Sequence, residues 1–322
     1  MPASDVRVPL PLTRLAPFYP SQFGVPNTGA DTGLRHSCEG TVFYVDPNHS
    51  DANDSRDGTE PDAPLATVAA AIGKCEAYKG DVILVMANNA GPYNDATEGR
   101  TTSVNEAVTV DVPGISIIGV SSSPMGVYWY VPADSIGITI NVTDVVIEGF
   151  AFFGNDGDET AIHASYDAEY GDNVTVRHCY FGEDLGYGIN LEYSWYADIH
   201  DCMFDEVGYG IYNAAADDDV AYARIYRNWF YDCPSGAIWL PDGDRNFISL
   251  NEIYNNDAAQ DAAAANVMIN LGNGSRNLVS RNTLGCKDGA GNGHYDDVCS
   301  AGTHDVWVSN YLWDAISTDN PT

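Results

Sequence analysis

From about Ile115 to Leu312 one short apolar pattern recurs along the chain. An aliphatic residue or Trp is followed three positions later by a residue that is often Asn or Cys. Two positions further stands an aromatic or aliphatic residue. In register the pattern reads Ile147-Phe150-Phe152, Val176-Cys179-Phe181, Ile199-Cys202-Phe204, Ile225-Asn228-Phe230, Ile248-Asn251-Ile253, Val279-Asn282-Leu284 and Trp307-Asn310-Leu312. Ile115-Ile118-Val120 fits as an earlier copy. The first members lie 32, 29, 23, 26, 23, 31 and 28 residues apart. A second, weaker repeat runs in phase: Ala161-Ile162, Gly188-Ile189, Gly210-Ile211, Ala237-Ile238 and Met268-Ile269.

Two strand-like signals per period, with no helical pattern between them, predict a solenoid of β coils. Each blade of a propeller needs four strands at even spacing, so the variable period argues against that fold. It suits a parallel β-helix, in which every coil adds strands to sheets running the length of the rod and surplus residues become loops. Asn228, Asn251, Asn282 and Asn310 then stack as an internal ladder, each amide bonding to the coils on either side. Cys179 and Cys202 fill the same slot as small buried residues. At about 4.8 Å per coil, eight or nine coils make a rod of roughly 40 Å.

In these features the chain resembles the right-handed parallel β-helix superfamily typified by pectate lyases and phage tailspikes. The opening adds to the likeness: Phe43-Tyr44-Val45-Asp46-Pro47-Asn48, an Asp/Ser/Gly-rich loop from Asp51 to Gly58, then Ala63-Pro64-Leu65-Ala66-Thr67 and a helical run. The resemblance covers roughly residues 41–312. It implies an all-β, single-stranded right-handed parallel β-helix. It implies little about activity, because the superfamily holds lyases, hydrolases, epimerases and non-catalytic virion proteins.

Residues 1–40 read as an extended Pro-rich arm with a near-neutral balance of Arg7, Arg14 and Arg35 against Asp5, Asp31 and Glu39. Its apolar residues, chiefly Leu10, Leu12, Phe18, Tyr19 and Phe23, follow no period and are expected to anchor the protein to a partner. Thr67 is an N-cap candidate for an amphipathic helix over about 67–78, with Val68, Ile72 and Cys75 on one face, covering the open end of the first coil. The solenoid runs over 41–312 and a polar tail over 313–322.

The chain has 322 residues, of which 46 are acidic and 14 basic, for a formal charge of −32. Nucleic acid and anionic membranes both need a basic footprint, so neither is an expected partner. Only Lys74, Lys79 and Lys287 are lysines. High Asp with scarce Lys points to a surface kept soluble in strong salt, where screening weakens self-repulsion. No run approaches a membrane-spanning length. Met1 to Phe23 is interrupted by prolines and does not read as a signal peptide, which favours a protein that leaves the cell inside a particle. The seven cysteines leave two pairings open, Cys38 with Cys75 and Cys286 with Cys299, and show no zinc-type spacing.

Candidate chemistry is sparse. A β-helix hydrolase needs two carboxylates across the scissile bond, and a lyase needs a base with an acid-held cation. Asp201, Asp205 and Glu206 lie near the neighbouring-coil positions Arg177, His178 and Arg227, and a carboxylate–Arg–His cluster on one face, with Asp201, Asp205, Arg177 and Arg227 as its first candidates, would serve such chemistry. Solvated ion pairs are the simpler reading of them. Polygalacturonase-type Asn-Thr-Asp, Gly-His-Gly and Arg-Ile-Lys runs are absent. Asp288, Asn292, Asp296 and Asp297 lie in a glycine-rich loop whose oxygens suit Ca²⁺, although no cofactor is expected. Tyr193, Trp195, Tyr196, Tyr222 and Trp229 crowd adjacent coils at outward positions and read as a subunit interface.

Together these features point to a non-enzymatic virion surface protein: a capsid turret, head spike or tail spike. It would be a homotrimer held by its arm to other virion proteins, assembled in the host cytoplasm and able to contact host-surface glycan. A polysaccharide lyase or hydrolase, and a glycan-binding adhesin, are the alternatives. The acidic balance predicts a melting temperature that climbs steeply between low and molar NaCl. Thermal denaturation followed by circular dichroism checks this, and a flat response counts against salt adaptation.

Overall fold

The computed structural model describes residues 40–87, 104–121, 127–164, 172–213, 220–255, 268–286, 299–312 and 315–317. The arm, with Leu10, Leu12, Phe18, Tyr19 and Phe23, lies outside the described residues, as does the loop of Asp288, Asn292, Asp296 and Asp297. The chain is a parallel β-helix whose coils each contribute one strand to three sheets. Sheet A stacks Val42–Val45, Val82–Met86, Ser116–Val120, Val146–Glu148, Thr175–Arg177, Asp198–His200, Arg224–Tyr226, Phe247–Ser249, Leu278–Ser280 and Val306–Val308. Sheet B stacks Tyr128–Tyr130, Ala151–Phe153, Tyr180–Phe181, Met203–Asp205, Trp229–Tyr231, Glu252–Asn255, Thr283–Cys286 and Asn310–Leu312. Sheet C stacks Val108–Val110, Ile136–Ile140, Glu159–Ala164, Leu185–Leu191, Tyr209–Tyr212, Gly236–Trp239, Ile269–Asn270 and Cys299–Ser300.

The apolar repeat is the inward column of each sheet. Ile147, Val176, Ile199, Ile225, Ile248, Val279 and Trp307 are paired in succession along sheet A. Phe152, Phe181, Phe204, Phe230, Ile253 and Leu284 do the same along sheet B. The weaker repeat, Ile162 to Ile269, is the inward column of sheet C. The phenyl rings stack face to face along the axis, Phe181 on Phe204 at 4.6 Å and Phe204 on Phe230 at 4.5 Å. Identical residues one coil apart meet in one orientation, so the core fills without rotamer conflict.

One register expectation needs correction. The ladder sets Ile117, not Ile115, opposite Ile147. Ile115 and Ile117 are both buried on the same face, and a period of two cannot separate them.

Two corners hold the coils together. Between sheets A and B one residue per coil has positive φ: Gly149, His178, Asp201, Arg227, Leu250, Arg281 and Ser309. The next residue points inward, and from Asn228 onward these residues form the expected ladder. Asn251 Oδ1 accepts from the backbone N–H of Asn228 at 3.0 Å, and its Nδ2 donates to the Ile225 carbonyl at 2.9 Å. Asn282 and Asn310 repeat the arrangement. Cys179 and Cys202 fill the earlier slots as buried thiols. Between sheets C and A the same device recurs: positive φ at Tyr222, Arg245, Arg276 and His304, with Asn246, Asn277 and Asp305 forming a second buried ladder.

The expected helix over 67–78 is shorter. It spans Val68–Ile72, with Thr67 as N-cap, and the Glu106 carboxylate accepts from the N–H groups of Val68 and Ala69. Gly73 ends it, and Tyr78 takes positive φ in the turn that follows. Val68, Ala71 and Ile72 join the main core, and the helix packs against the strands at 42–45, 82–86 and 108–110. Cys75 is a free thiol; Cys38 and the side chains of Cys286 and Cys299 lie outside the described residues. In the segment read as a polar tail, Ala315–Ser317 pairs antiparallel with Asn310–Leu312.

Replacing Asn251 with Ala strands the Asn228 N–H and the Ile225 carbonyl inside the rod. With each unpaired buried group costing about 1–3 kcal/mol, Asn251→Ala should destabilise the fold by about 2–4 kcal/mol in urea denaturation. Thr175→Ala, on the outer face of sheet A, should stay within about 0.5 kcal/mol.

Candidate functional site

Charged side chains converge on the outer face of sheet A and its corner with sheet B. The residue after each inward column member points outward, and the register aligns Glu148, Arg177, His200, Tyr226 and Ser249 across successive strands. Beside them run the positive-φ residues His178, Asp201 and Arg227. Outward positions on adjacent strands lie about 4.8 Å apart, close enough for every neighbouring acid and base to pair.

They do pair. Arg177 donates to the Glu148 carboxylate through Nε at 3.0 Å and Nη2 at 2.9 Å. His178 Nδ1 stands 3.3 Å from the other Glu148 oxygen. One coil on, Arg227 grips Asp201 with two bonds of 2.8 and 2.6 Å, and His200 Nδ1 lies 2.6 Å from the same carboxylate. The Tyr226 ring stacks on His200 at 4.9 Å, and the Arg227 guanidinium lies over Tyr226. Arg224 pairs with Asp198 at 2.6 Å.

Burial alone would raise the Glu148 carboxyl, but the hydrogen bonds and charges of His178 and Arg177 outweigh it and hold the group below its ordinary value of 4.5. Asp201 is likewise pushed up by burial and pulled down further by Arg227 and His200, ending below 3.8. Both groups are therefore fixed as anions. A general acid near neutral pH needs the opposite shift, and a lyase base needs an arginine or lysine free of such a clamp.

Of the sequence-derived set, Arg177, Asp201 and Arg227 come together on this face. Asp205 does not: it belongs to sheet B, where its carboxylate accepts from the Tyr180 hydroxyl at 3.0 Å. Glu148, His200 and Tyr226 complete the cluster and were missed. Their signal was their shared place one residue after each inward column member. The aromatic group also divides. Trp195, Tyr196 and Tyr222 are exposed near the corner between sheets C and A, with Tyr196 stacked on Tyr222 at 5.2 Å. Tyr193 is half-buried at the same corner, two residues before Trp195. Trp229 sits apart on sheet B, stacked against Tyr231.

Toward the C-terminal end the same face changes character. An open groove there is lined by Arg224, Tyr226, Phe247, Leu250, Leu278 and Arg281, among others, and none of its lining residues is acidic.

The ion-pair ladder fixes a pH dependence. Both carboxyls have folded values below their ordinary ones, so the stability they contribute is complete above about 4.5 and is lost as pH falls through the lowered folded values. Asp201→Asn and Glu148→Gln should each melt below the parent at pH 7 and approach it in the acid limb. Melting curves between pH 7 and pH 2 check this; a constant gap across the range counts against it.

Comparison with solved structures finds several similar chains, all at low identity. A pectate lyase shares 16% identity and a TM-score of 0.42, over 88% of this chain and 78% of that one. An alginate lyase in complex with a trisaccharide shares 13% identity with a TM-score of 0.45, over 85% of this chain and 59% of that one. A protein of Geobacillus virus E2 shares 12% identity with a TM-score of 0.34, over 78% of this chain and 59% of that one. Among curated proteins none matches. The family model described as periplasmic copper-binding protein (NosD) matches residues 77–292, more than half of the chain, and the protein belongs to that family.

Proposed function

We propose that the protein is a non-catalytic β-helix that works through its outer faces, and that its place is the surface of a virus particle, as a spike or turret. One observation carries the non-catalytic part: where carboxylates, arginines and histidines converge, on the outer face of sheet A, Glu148 and Asp201 are each clamped by an arginine and a histidine of their own chain and held as anions. Such a ladder stiffens the face between coils, and it leaves neither a raised acid nor an unengaged arginine base among Glu148, Arg177, Asp201 and Arg227.

The family's description names copper. The described residues do not fit that ion. Among them no three His, Cys, Asp or Glu side chains come together as ligands. His178 and His200 each direct Nδ1 at a carboxylate. The Cys179 and Cys202 thiols lie inside the rod, where burial pushes Cys202 well above its ordinary value, and copper takes the thiolate. No described helix is long and apolar enough to cross a membrane.

The virion part of the reading is supported by the Pro-rich, near-neutral N-terminal sequence in an otherwise acidic chain and by the exposed aromatic and apolar residues of the rod. Incubating the full-length protein with a panel of neutral and anionic polysaccharides, with Ca²⁺, at low and molar NaCl, tests the non-catalytic reading. Polymer length measured by size-exclusion chromatography should not change. Shortening of any polymer that Asp201→Asn abolishes would overturn the reading.

A further inference from the structure

One outward row of sheet A changes abruptly. It carries Glu148, Arg177, His200 and Tyr226 on successive coils, drops to Ser249 and Ser280 on the next two, and ends at Val308. Where the long side chains stop, a groove of about 610 Å³ opens. Sites for small molecules commonly span about 300–1,000 Å³. The two serines form its floor. Phe247 and Leu278, level with each other in register, line one side, and the corner residues Leu250 and Arg281 line the other.

The floor is polar and unsatisfied. Ser249 is 3% exposed and Ser280 8%, yet neither hydroxyl has a hydrogen-bond partner among the described residues. Hydroxyls taken this far out of water normally have one, and these two face the groove. The walls are apolar and open: Phe247 is 39% exposed and Leu250 51%. Leu250 stands at positive φ, which disfavours it, on a ridge where neighbouring coils place Asp201, Arg227 and Arg281. The charge is local as well. In a chain of net charge −32 no lining residue is acidic. Arg224, at one end, is paired with Asp198, whereas Arg281 has no ion-pair partner among the described residues.

We propose that this groove binds a small organic monocarboxylate, apolar at one end and bearing oxygens at the other. The apolar body lies between Phe247 and Leu250. The carboxylate meets the Arg281 guanidinium, whose planar fork matches it, and the ligand's oxygens satisfy the Ser249 and Ser280 hydroxyls. One unpaired arginine suits one negative charge; a second would stand uncompensated in the field of so acidic a chain. A sugar fits less well, because its hydroxyls would lose water against Phe247, Leu278 and Leu250 without a partner. Asp201 and Glu148 lie outside the groove, so the inference does not depend on the protein's lacking catalysis.

Ligand-observed NMR titration of the full-length protein tests the site, with 3-phenyllactate as the probe. The parent should bind it saturably. Phenyllactamide, which lacks the charge, and acetate, which lacks the apolar body, should bind more weakly, as should glucuronate. Arg281→Gln should keep the parent's circular-dichroism spectrum, weaken 3-phenyllactate by about tenfold or more, and abolish the preference over the amide. Ser249→Ala combined with Ser280→Ala should weaken it by about threefold or more; this pair decides the matter if Arg281→Gln does not fold. Tyr222→Ala, at the other corner, should bind as the parent does. Absence of saturable binding by the parent overturns the proposal. Binding that survives Arg281→Gln unchanged also overturns it, as does glucuronate binding more tightly than 3-phenyllactate, which would make the groove a sugar site.

Discussion

At each corner between sheets A and B the chain must turn within one residue while leaving no inward backbone group unpaired. The turn is made by a residue at positive φ, which costs a non-glycine side chain about 1–2 kcal/mol. The residue after it is thrown inward; the amide of Asn251, for example, bonds to the backbone of the preceding coil and donates to Asn282 Oδ1 on the following one. Without the inward amide, the N–H and the carbonyl of the preceding coil, those of Asn228 and Ile225 in the case of Asn251, would be buried without partners. The sheets, the phenyl stack and the length of the rod all follow from repeating this corner in register.

The same corner decides what the surface presents. A residue at positive φ followed by an inward residue must project outward, so each coil places one side chain on an exposed ridge. His178, Asp201, Arg227, Leu250 and Arg281 are there for geometric reasons before any functional one. The convergence of acids and bases on sheet A is thus partly a consequence of stacking: outward positions of successive coils are forced into contact, and opposite charges at that spacing are the arrangement that avoids repulsion. In a chain of net charge −32, arginines held at these ridges also lower the local density of negative charge.

What was legible in the sequence was what packs. Isoleucine, phenylalanine and asparagine columns recur because burial constrains them identically in every coil, and the register they imply is the register found. The second ladder was also readable. The dipeptide Arg-Asn occurs at 227–228, 245–246, 276–277 and 281–282, and these are the two corners, each a positive-φ arginine followed by an inward asparagine. The failures share a cause. Ile115 and Ile117 were confused because they share a buried face, and the helix was drawn too long because Cys75 continues an apolar spacing that Gly73 has already ended. Asp205 was grouped with Asp201 as lying near the same neighbouring-coil positions, although the corner at Asp201 turns the chain so that Asp205 falls on sheet B.

Outward positions are harder to interpret, because a ladder neighbour can explain most of them. Arg177 is explained by Glu148, Arg227 by Asp201, and Arg224 by Asp198. The informative residues are those that stacking does not explain. Leu250 sits exposed where polar side chains would serve the corner as well, and Arg281 beside it has been given no acid by its own chain among the described residues. Both lie on coils whose inward columns are as regular as any other, so neither is a by-product of packing. In a solenoid, where the core dictates so much of the sequence, such departures on the outer face are where a requirement other than folding has acted.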